Sequence, residues 1–166
     1  DATASREPTW DRACRIQGEM FKTTQDLGGL EIQLVWYRGF AEFEASAWVS
    51  NSAALVAQMT AVGCRAGETQ IEKVLQHALA ETGRRKVSAV VFVGDCVEES
   101  VDRLCALAGK LGLVGLPVFV FHEGGEPVAR ACLSEIARLS GGAYCPFDAS
   151  SAEALRDLLA AAAAFA

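Results

Sequence analysis

The sequence predicts a doubly wound α/β fold: a mostly parallel central sheet with helices on both faces and one antiparallel strand at its edge. Helical stripes of apolar residues alternate with short apolar runs along most of the chain. Two of these runs, Val87–Val93 and Pro117–Phe121, are continuous, which is typical of strands buried on both faces. Ile32–Trp36 and Phe43–Val49 are separated by only a short turn, which predicts that they pair antiparallel at the sheet edge.

Apolar residues at intervals of three and four predict six helices. The first is expected to end at Gly28-Gly29 and the fifth at Gly141-Gly142, because glycine readily ends a helix. Ser50-Asn51-Ser52 supplies a cap for the second, and Glu98-Glu99 is expected in the favourable first turn of the fourth. The predicted stripes are Trp10–Leu27, Leu55–Met59, Ile71–Leu79, Val101–Leu111, Val128–Leu139 and Leu155–Phe165, with a short strand at Ala143–Cys145 before the last.

The composition indicates one globular domain spanning residues 1–166. Hydrophobic residues make up 51% of the chain and charged residues 22%, which argues against disorder. The net charge is −6 and no basic cluster exceeds Arg84–Lys86, so no nucleic-acid partner is expected. No apolar run approaches the ~20 residues of a spanning helix, so no membrane contact is expected. The six cysteines form no C-x-x-C pair, and we interpret them as reduced core residues of a cytoplasmic protein.

One strand is missing from this pattern. A helix that begins near residue 7 needs a strand before it to complete the first crossover, yet the sequence starts at Asp1. We therefore expect the first central strand, about five or six mostly apolar residues, directly before Asp1 in the parent protein. Without it, the strands that contain Ile32 and Val87 would face an unpaired gap in the sheet.

Ligands of open α/β sheets bind outside the carboxyl ends of the strands, and three loops qualify for this position. They are Asp1–Ser5, Ala66–Gln70 and Gly94–Cys96. In the first loop, a carboxylate and two hydroxyls stand at alternate positions and can converge on one hard cation. Oxygen ligands of this kind suit Mg²⁺, Mn²⁺ or Ca²⁺, whereas Zn²⁺ prefers nitrogen and sulfur.

Together these loops resemble the metal-ion-dependent adhesion site (MIDAS) of the von Willebrand factor A (VWA) family. That family carries D-x-S-x-S after its first strand, a threonine after a short edge segment, and an aspartate at the end of the next parallel strand. The matching residues here are Asp1, Thr3, Ser5, Thr69 and Asp95. The order and lengths of the elements fit as well, and the chain resembles bacterial VWA domain proteins over essentially its whole length.

The resemblance implies a site for Mg²⁺, or for Mn²⁺ or Ca²⁺, made of these five residues. The two hydroxyls of the first loop and sometimes Thr69 would bind the ion directly, whereas Asp1 and Asp95 would often act through water. Two positions depart from the family pattern. Thr3 replaces the usual serine and keeps the hydroxyl, and Cys96 stands where a glycine commonly follows the aspartate.

A site of this kind favours binding over catalysis. Mg²⁺ takes about six oxygen ligands, so the protein groups would leave a position for an Asp or Glu side chain of a partner protein. The alternative is a Mg²⁺-dependent phosphoryl-transfer enzyme or hydrolase with Asp1 as nucleophile or base. The sequence has neither a second aspartate two residues after Asp1 nor a glycine-rich phosphate loop. A scaffold whose site binds no metal is the third possibility.

Simpler roles also fit single residues. Thr69 suits an N-terminal helix cap, and Asp95 suits an ordinary turn. His122-Glu123 ends another predicted strand and would line the same rim, whereas His77 flanks an apolar stripe and is expected to be structural. Cys96 is next to the predicted site, but a nucleophilic cysteine would need a nearby histidine.

Overall fold

The computed structural model describes residues 1–24, 28 and 30–164, with backbone only for residues 163 and 164. In this part of the chain a short 3₁₀ helix, Ala4–Thr9, leads into the first α-helix. The strands are β1 (Ile32–Arg38), β2 (Glu42–Val49), β3 (Val90–Gly94), β4 (Val118–His122) and β5 (Ala143–Pro146). The α-helices are α1 (Trp10–Thr24), α2 (Ser52–Ala61), α3 (Ile71–Arg84), α4 (Val101–Leu113), α5 (Pro127–Ser140) and α6 (Ser151–Ala164).

The five strands form two hydrogen-bonded groups. β1 and β2 pair antiparallel, with Ile32 opposite Val49 and Arg38 opposite Glu42, which confirms the predicted hairpin. β3, β4 and β5 form a parallel group with β4 in the middle. The expected single sheet is not completed by the described residues, because no strand among them lies between β1 and β3.

Helices cover both faces of the parallel strands, as the sequence predicts for a doubly wound fold. Successive strand residues point to opposite faces, so β3 and β4 divide their side chains between two apolar clusters. Phe92, Val118 and Val120 pack with α3, α4 and α5. Val93, Phe119 and Phe121 pack with α1 and α6.

The two predicted buried strands differ in how they are covered. All five residues of β4 are buried, as its continuous apolar run predicts. β3 begins only at Val90, and both Val90 and Val91 are half-buried. The prediction of a strand buried from Val87 onward is therefore wrong at its start, because this end of β3 borders a cleft instead of a neighbouring strand.

Most predicted helix ends agree with the structure. Asn51 caps α2 by accepting a hydrogen bond from the Ala53 amide at 2.7 Å, and α5 ends at Gly141, whose φ of 76° is left-handed. α1 ends at Thr24, while the predicted apolar positions Leu27 and Phe165 lie outside the described residues.

Gly142, between α5 and β5, packs directly against the backbone of β4. A Cβ atom at this position would overlap the carbonyl group of Val118. We expect Gly142→Ala to destabilise the domain by about 3 kcal/mol or more, because backbone atoms cannot rotate aside. In the matched control, Gly109 lies within α4 with open space around it, and alanine there should stabilise by up to about 1 kcal/mol. Urea unfolding measures both changes, and equal midpoints for the two variants would contradict this packing.

No helix in the described ranges combines the length and the apolar character needed to cross a membrane. All six cysteines are free thiols, and the expectation of core positions holds for Cys14 and Cys132, whereas the other four are half-buried. Burial raises the pKa of the Cys132 thiol to about 11, so this group stays protonated at neutral pH.

Candidate functional site

The first residues of the chain lie between the carboxyl ends of β1 and β3. The Ala2 amide donates a hydrogen bond to the Tyr37 carbonyl at 3.0 Å. On the other side, the backbone nitrogen of Asp1 is 3.4 Å from the Val93 carbonyl oxygen.

The side chains of Asp1, Thr3 and Ser5 are linked by hydrogen bonds. Asp1 Oδ1 accepts from the Thr3 amide at 3.0 Å and from the Thr3 hydroxyl at 2.8 Å. The Thr3 and Ser5 hydroxyl oxygens are 3.0 Å apart. A parallel bridge between Thr3 and Arg65 fixes the loop against its neighbour. The alternate spacing therefore brings one carboxylate and two hydroxyls together.

The loop after β3 brings a second carboxylate and a thiol to the same place. One ligand atom each from Asp1, Asp95 and Cys96 lies within 4.8 Å of the other two. A Cβ atom at Gly94 would overlap the Phe92 ring at 2.8 Å and would stand 3.4 Å from Asp1 Oδ2, so glycine keeps this strand end open beside Asp1. Two carboxylates this close repel each other unless a positive charge lies between them.

Two carboxylate oxygens of this cluster have no hydrogen-bond donor. They are Asp1 Oδ2 and Asp95 Oδ1, and both atoms are buried from solvent. Buried polar atoms nearly always have a partner, and an exception calls for an explanation such as an ion. The orphaned oxygens and the charge repulsion both indicate a site suited to a cation.

Cys96 is unsuited to act as a nucleophile. Burial, and then the charge of Asp95, raise the pKa of the Cys96 thiol to about 12. The thiol therefore stays protonated at neutral pH, and nucleophilic attack requires the thiolate. The nearby His122 ring does not serve as its base, because its nitrogens face Asp95 and Tyr144.

His122 contacts the backbone of the loop that contains Asp95. Its Nε2 atom is 3.2 Å from the Asp95 carbonyl oxygen, and its Nδ1 atom is 2.7 Å from the Tyr144 hydroxyl. A carbonyl oxygen only accepts, so Nε2 donates the hydrogen bond to Asp95. The sequence placed His122 at this rim, and the structure adds the contact that positions Asp95.

Arg6 holds the first loop from the other side, and the sequence analysis did not single it out. Its side chain is 1% exposed, and its Nε donates to Glu123 at 2.8 Å. Its Nη1 donates to the Asp1 carbonyl, also at 2.8 Å. The guanidinium lies over the Trp10 and Phe147 rings. Arg6 lies in the short 3₁₀ helix before α1, and its local sequence gives no signal for a partner as distant as Glu123.

Thr69 lies at a junction between two loops. Its hydroxyl donates to Glu99 at 2.8 Å and accepts from the Glu98 amide at 3.0 Å. The Glu99 carboxylate also accepts from the Ile71 and Glu72 amides, which begin α3. The expectation that Glu98-Glu99 serves the first turn of α4 is therefore wrong. Glu99 caps α3 instead, because α4 starts only at Val101.

The structure thus brings Asp1, Thr3, Ser5 and Asp95 into one cluster, in which Cys96 is an additional member. The Thr69 hydroxyl lies in the adjacent loop, where it donates a hydrogen bond to Glu99.

Replacing Thr69 tests its structural role. We expect Thr69→Ala to destabilise the domain by about 2 kcal/mol, because the side chain is 4% exposed and its loss removes two hydrogen bonds, one to Glu99 and one from the Glu98 amide. Thr69→Ser keeps the hydroxyl and should cost no more than about 1 kcal/mol, for the lost methyl group. Chemical denaturation distinguishes the two. Wild-type stability of the alanine variant would show that these hydrogen bonds contribute nothing.

Comparison with known proteins identifies the fold. The sequence matches no protein-family model and no curated protein. Three solved structures are similar: proximal thread matrix protein 1 from the mussel byssus (16% identity, TM-score 0.71), a von Willebrand factor type A protein from Catenulispora acidiphila (17%, 0.71) and the VWA domain of SpRpn10 (14%, 0.65). The matches cover 98%, 98% and 89% of this chain. The chain therefore has a VWA-like fold, as its sequence resemblance predicts.

The same comparisons show how much of each relative this chain represents. It spans 44% of the mussel protein and 41% of the Catenulispora protein, but 81% of the SpRpn10 domain structure. At these levels of identity the likeness concerns the fold alone.

Proposed function

We propose that this domain binds a divalent cation and uses it to engage an acidic side chain of a partner protein. The observation that carries the proposal is the pair of orphaned carboxylate oxygens, Asp1 Oδ2 and Asp95 Oδ1, in a cluster whose ligand atoms lie within 4.8 Å of one another. A cation would satisfy both oxygens and remove the repulsion between the two carboxylates.

The donor set fits Mg²⁺ or Mn²⁺, with Ca²⁺ as a further candidate. Asp1, Asp95 and the hydroxyls of Thr3 and Ser5 supply oxygen, the ligand atom that these hard cations prefer. Thr69 is the fifth proposed residue, and its hydroxyl would have to exchange its hydrogen bond to Glu99 for the ion. When bound, the cation would supply an open coordination position for an outside carboxylate.

The surface around the cluster suits a protein partner. Phe40, in the turn between β1 and β2, is 77% exposed at the carboxyl end of β1, the sheet edge at which Asp1 lies. The exposed Arg65 side chain stands beside Thr3 and pairs with Glu42. An acidic residue with an apolar neighbour would find complementary groups here. We place this function in the cytoplasm, because all six cysteines are free.

We propose binding rather than catalysis. In the enzyme alternative, the candidate nucleophile is the Asp1 carboxylate. Its Oδ1 atom already accepts two hydrogen bonds from Thr3. A generic phosphatase substrate such as p-nitrophenyl phosphate, incubated with the domain and Mg²⁺, should show no turnover above the rate of the buffer. Turnover that Asp1→Asn removes would favour the enzyme alternative.

Cation titration tests the proposal directly. We expect Mn²⁺ and Mg²⁺ to bind one site with micromolar-to-millimolar affinity, because two carboxylates and neutral hydroxyls make a weak ligand set. Electron paramagnetic resonance measures free Mn²⁺, and competition by Mg²⁺ gives the second affinity. An absence of saturable Mn²⁺ binding would reject the cation site, whatever its partner.

A further inference from the structure

Cys96 places a sulfur atom inside the cluster of carboxylates that would hold the cation. One ligand atom each from Asp1, Asp95 and Cys96 lies within 4.8 Å of the other two. Among the residues that the structure describes, no other group of three or more histidine, cysteine, aspartate or glutamate side chains comes this close together. An ion bound by the two carboxylates would therefore lie beside the sulfur.

The cluster has nearly the size of a coordination shell. Zn²⁺ bonds to carboxylate oxygen and to sulfur are about 2.0–2.3 Å long, which places neighbouring ligand atoms about 3.3–3.8 Å apart in a tetrahedron. The present separations of at most 4.8 Å need to contract by no more than about 1.5 Å to reach that geometry. Two oxygens and one sulfur would make three protein ligands, with the fourth position open to water or an outside group.

The charges in the cluster also favour an ion in contact with the sulfur. Asp1 Oδ2 and Asp95 Oδ1 are buried and have no hydrogen-bond partner. Burial, and then the charges of Asp95 and Glu98, raise the pKa of the Cys96 thiol, whereas the Ser5 hydroxyl lowers that pKa. A divalent cation would offset the repulsion that opposes a thiolate here, because it brings positive charge to the sulfur and both carboxylates.

We propose that Cys96 is a ligand of this site and makes the domain select a thiophilic divalent cation, Zn²⁺, over Mg²⁺. Zn²⁺ binds thiolate readily, whereas Mg²⁺ prefers oxygen. Formation of the zinc–sulfur bond breaks the S–H bond and releases that proton to solvent. The inference rests on the cation site proposed above and adds which ion that site prefers.

Competition against Mn²⁺ tests this preference at a single site. With free Mn²⁺ measured by electron paramagnetic resonance, Zn²⁺ should displace bound Mn²⁺ at a concentration at least about 100-fold lower than Mg²⁺ requires. Carboxylates alone also favour Zn²⁺, so Cys96→Ser is the decisive comparison. This variant keeps a small polar side chain and should lose at least about tenfold in Zn²⁺ affinity, while its Mn²⁺ and Mg²⁺ affinities change by no more than about twofold.

Cd²⁺ reports the sulfur ligand directly. When it binds a thiolate, charge transfer from sulfur gives an ultraviolet absorption band, which equimolar Cd²⁺ should produce in the wild type but not in Cys96→Ser. Cys64→Ser is the matched control and should retain the band, because Cys64 is also free and half-buried but lies outside the cluster. Urea unfolding of the ion-free variants checks that both are folded before the ions are added.

Two results would overturn the proposal: equal Zn²⁺ affinities of the wild type and Cys96→Ser, or a Cd²⁺ band that persists in Cys96→Ser. If Mn²⁺ still binds in either case, the cation site of the proposed function stands and only the sulfur ligand is rejected. If Mn²⁺ does not bind while the Cd²⁺ band depends on Cys96, the sulfur ligand stands and the proposed Mg²⁺ or Mn²⁺ site is rejected.

Discussion

Asp95→Ala is expected to weaken Mn²⁺ binding by at least about 100-fold while leaving the fold intact. It removes one of only two carboxylates that can neutralise the ion, and ligand charge is the main determinant of affinity at such sites. The stability of the ion-free domain should stay within about 0.5 kcal/mol or rise. Asp95 Oδ1 accepts no hydrogen bond, and its removal relieves the repulsion with Asp1.

Two further variants make this result specific. Asp95→Asn keeps the shape of the side chain and removes its charge, so it should lose most of the affinity as well. Asp102→Ala removes an exposed carboxylate from the first turn of α4 and should bind Mn²⁺ like the wild type. If Asp102→Ala lost as much Mn²⁺ affinity as Asp95→Ala, the loss would reflect the change in net charge and not a specific ligand at Asp95.

Partner capture extends the same comparison to function. Wild type and Asp95→Ala, each incubated with cell extract in Mg²⁺ or in EDTA, give four recoveries. Only the wild type in Mg²⁺ should retain cation-dependent partners. Equal recovery under all four conditions would mean that the domain binds its partners through another surface.

Sequence patterns predict those parts of the molecule that depend on local chemistry. The helices follow apolar residues at intervals of three and four, and the buried strands follow continuous apolar runs. The Asp1, Thr3 and Ser5 cluster follows from alternate spacing within one loop. Asp95 could be placed because the carboxyl ends of parallel strands share an edge. The half-buried start of β3 could not be predicted, because the burial of these residues depends on which strand lies next to them.

The residues that hold the site together are harder to find from sequence, because their partners are far away along the chain. Arg6 binds Glu123 across 117 positions, and His122 reaches Asp95 across 27. Glu99 caps a helix that begins 28 residues before it. Each looks ordinary in its own segment, and only the folded chain supplies its partner.

Arg6→Met should destabilise the domain by about 3 kcal/mol or more, the largest stability effect expected of any side chain at the site. Methionine keeps the apolar stem near Trp10 but leaves the Glu123 carboxylate, 19% exposed, without its cation, and it frees the Asp1 carbonyl. Removing one partner of a buried ion pair typically costs about 3–5 kcal/mol. Arg6→Lys should also lose stability, because one ammonium cannot reproduce the planar fork of donors.

The matched control is Arg138→Met, which breaks the pair with Glu135 on the surface of α5. That pair is 68% and 40% exposed, so its loss should change stability by no more than about 0.5 kcal/mol. The double variant Arg6→Met/Glu123→Leu should recover part of the loss, because no unpaired charge then remains buried. Urea unfolding at neutral pH measures all four variants. Equal destabilisation by Arg6→Met and Arg138→Met would show that the Arg6–Glu123 pair contributes no more than a surface pair. In that case Arg6 would not be what fixes Asp1 beside Asp95.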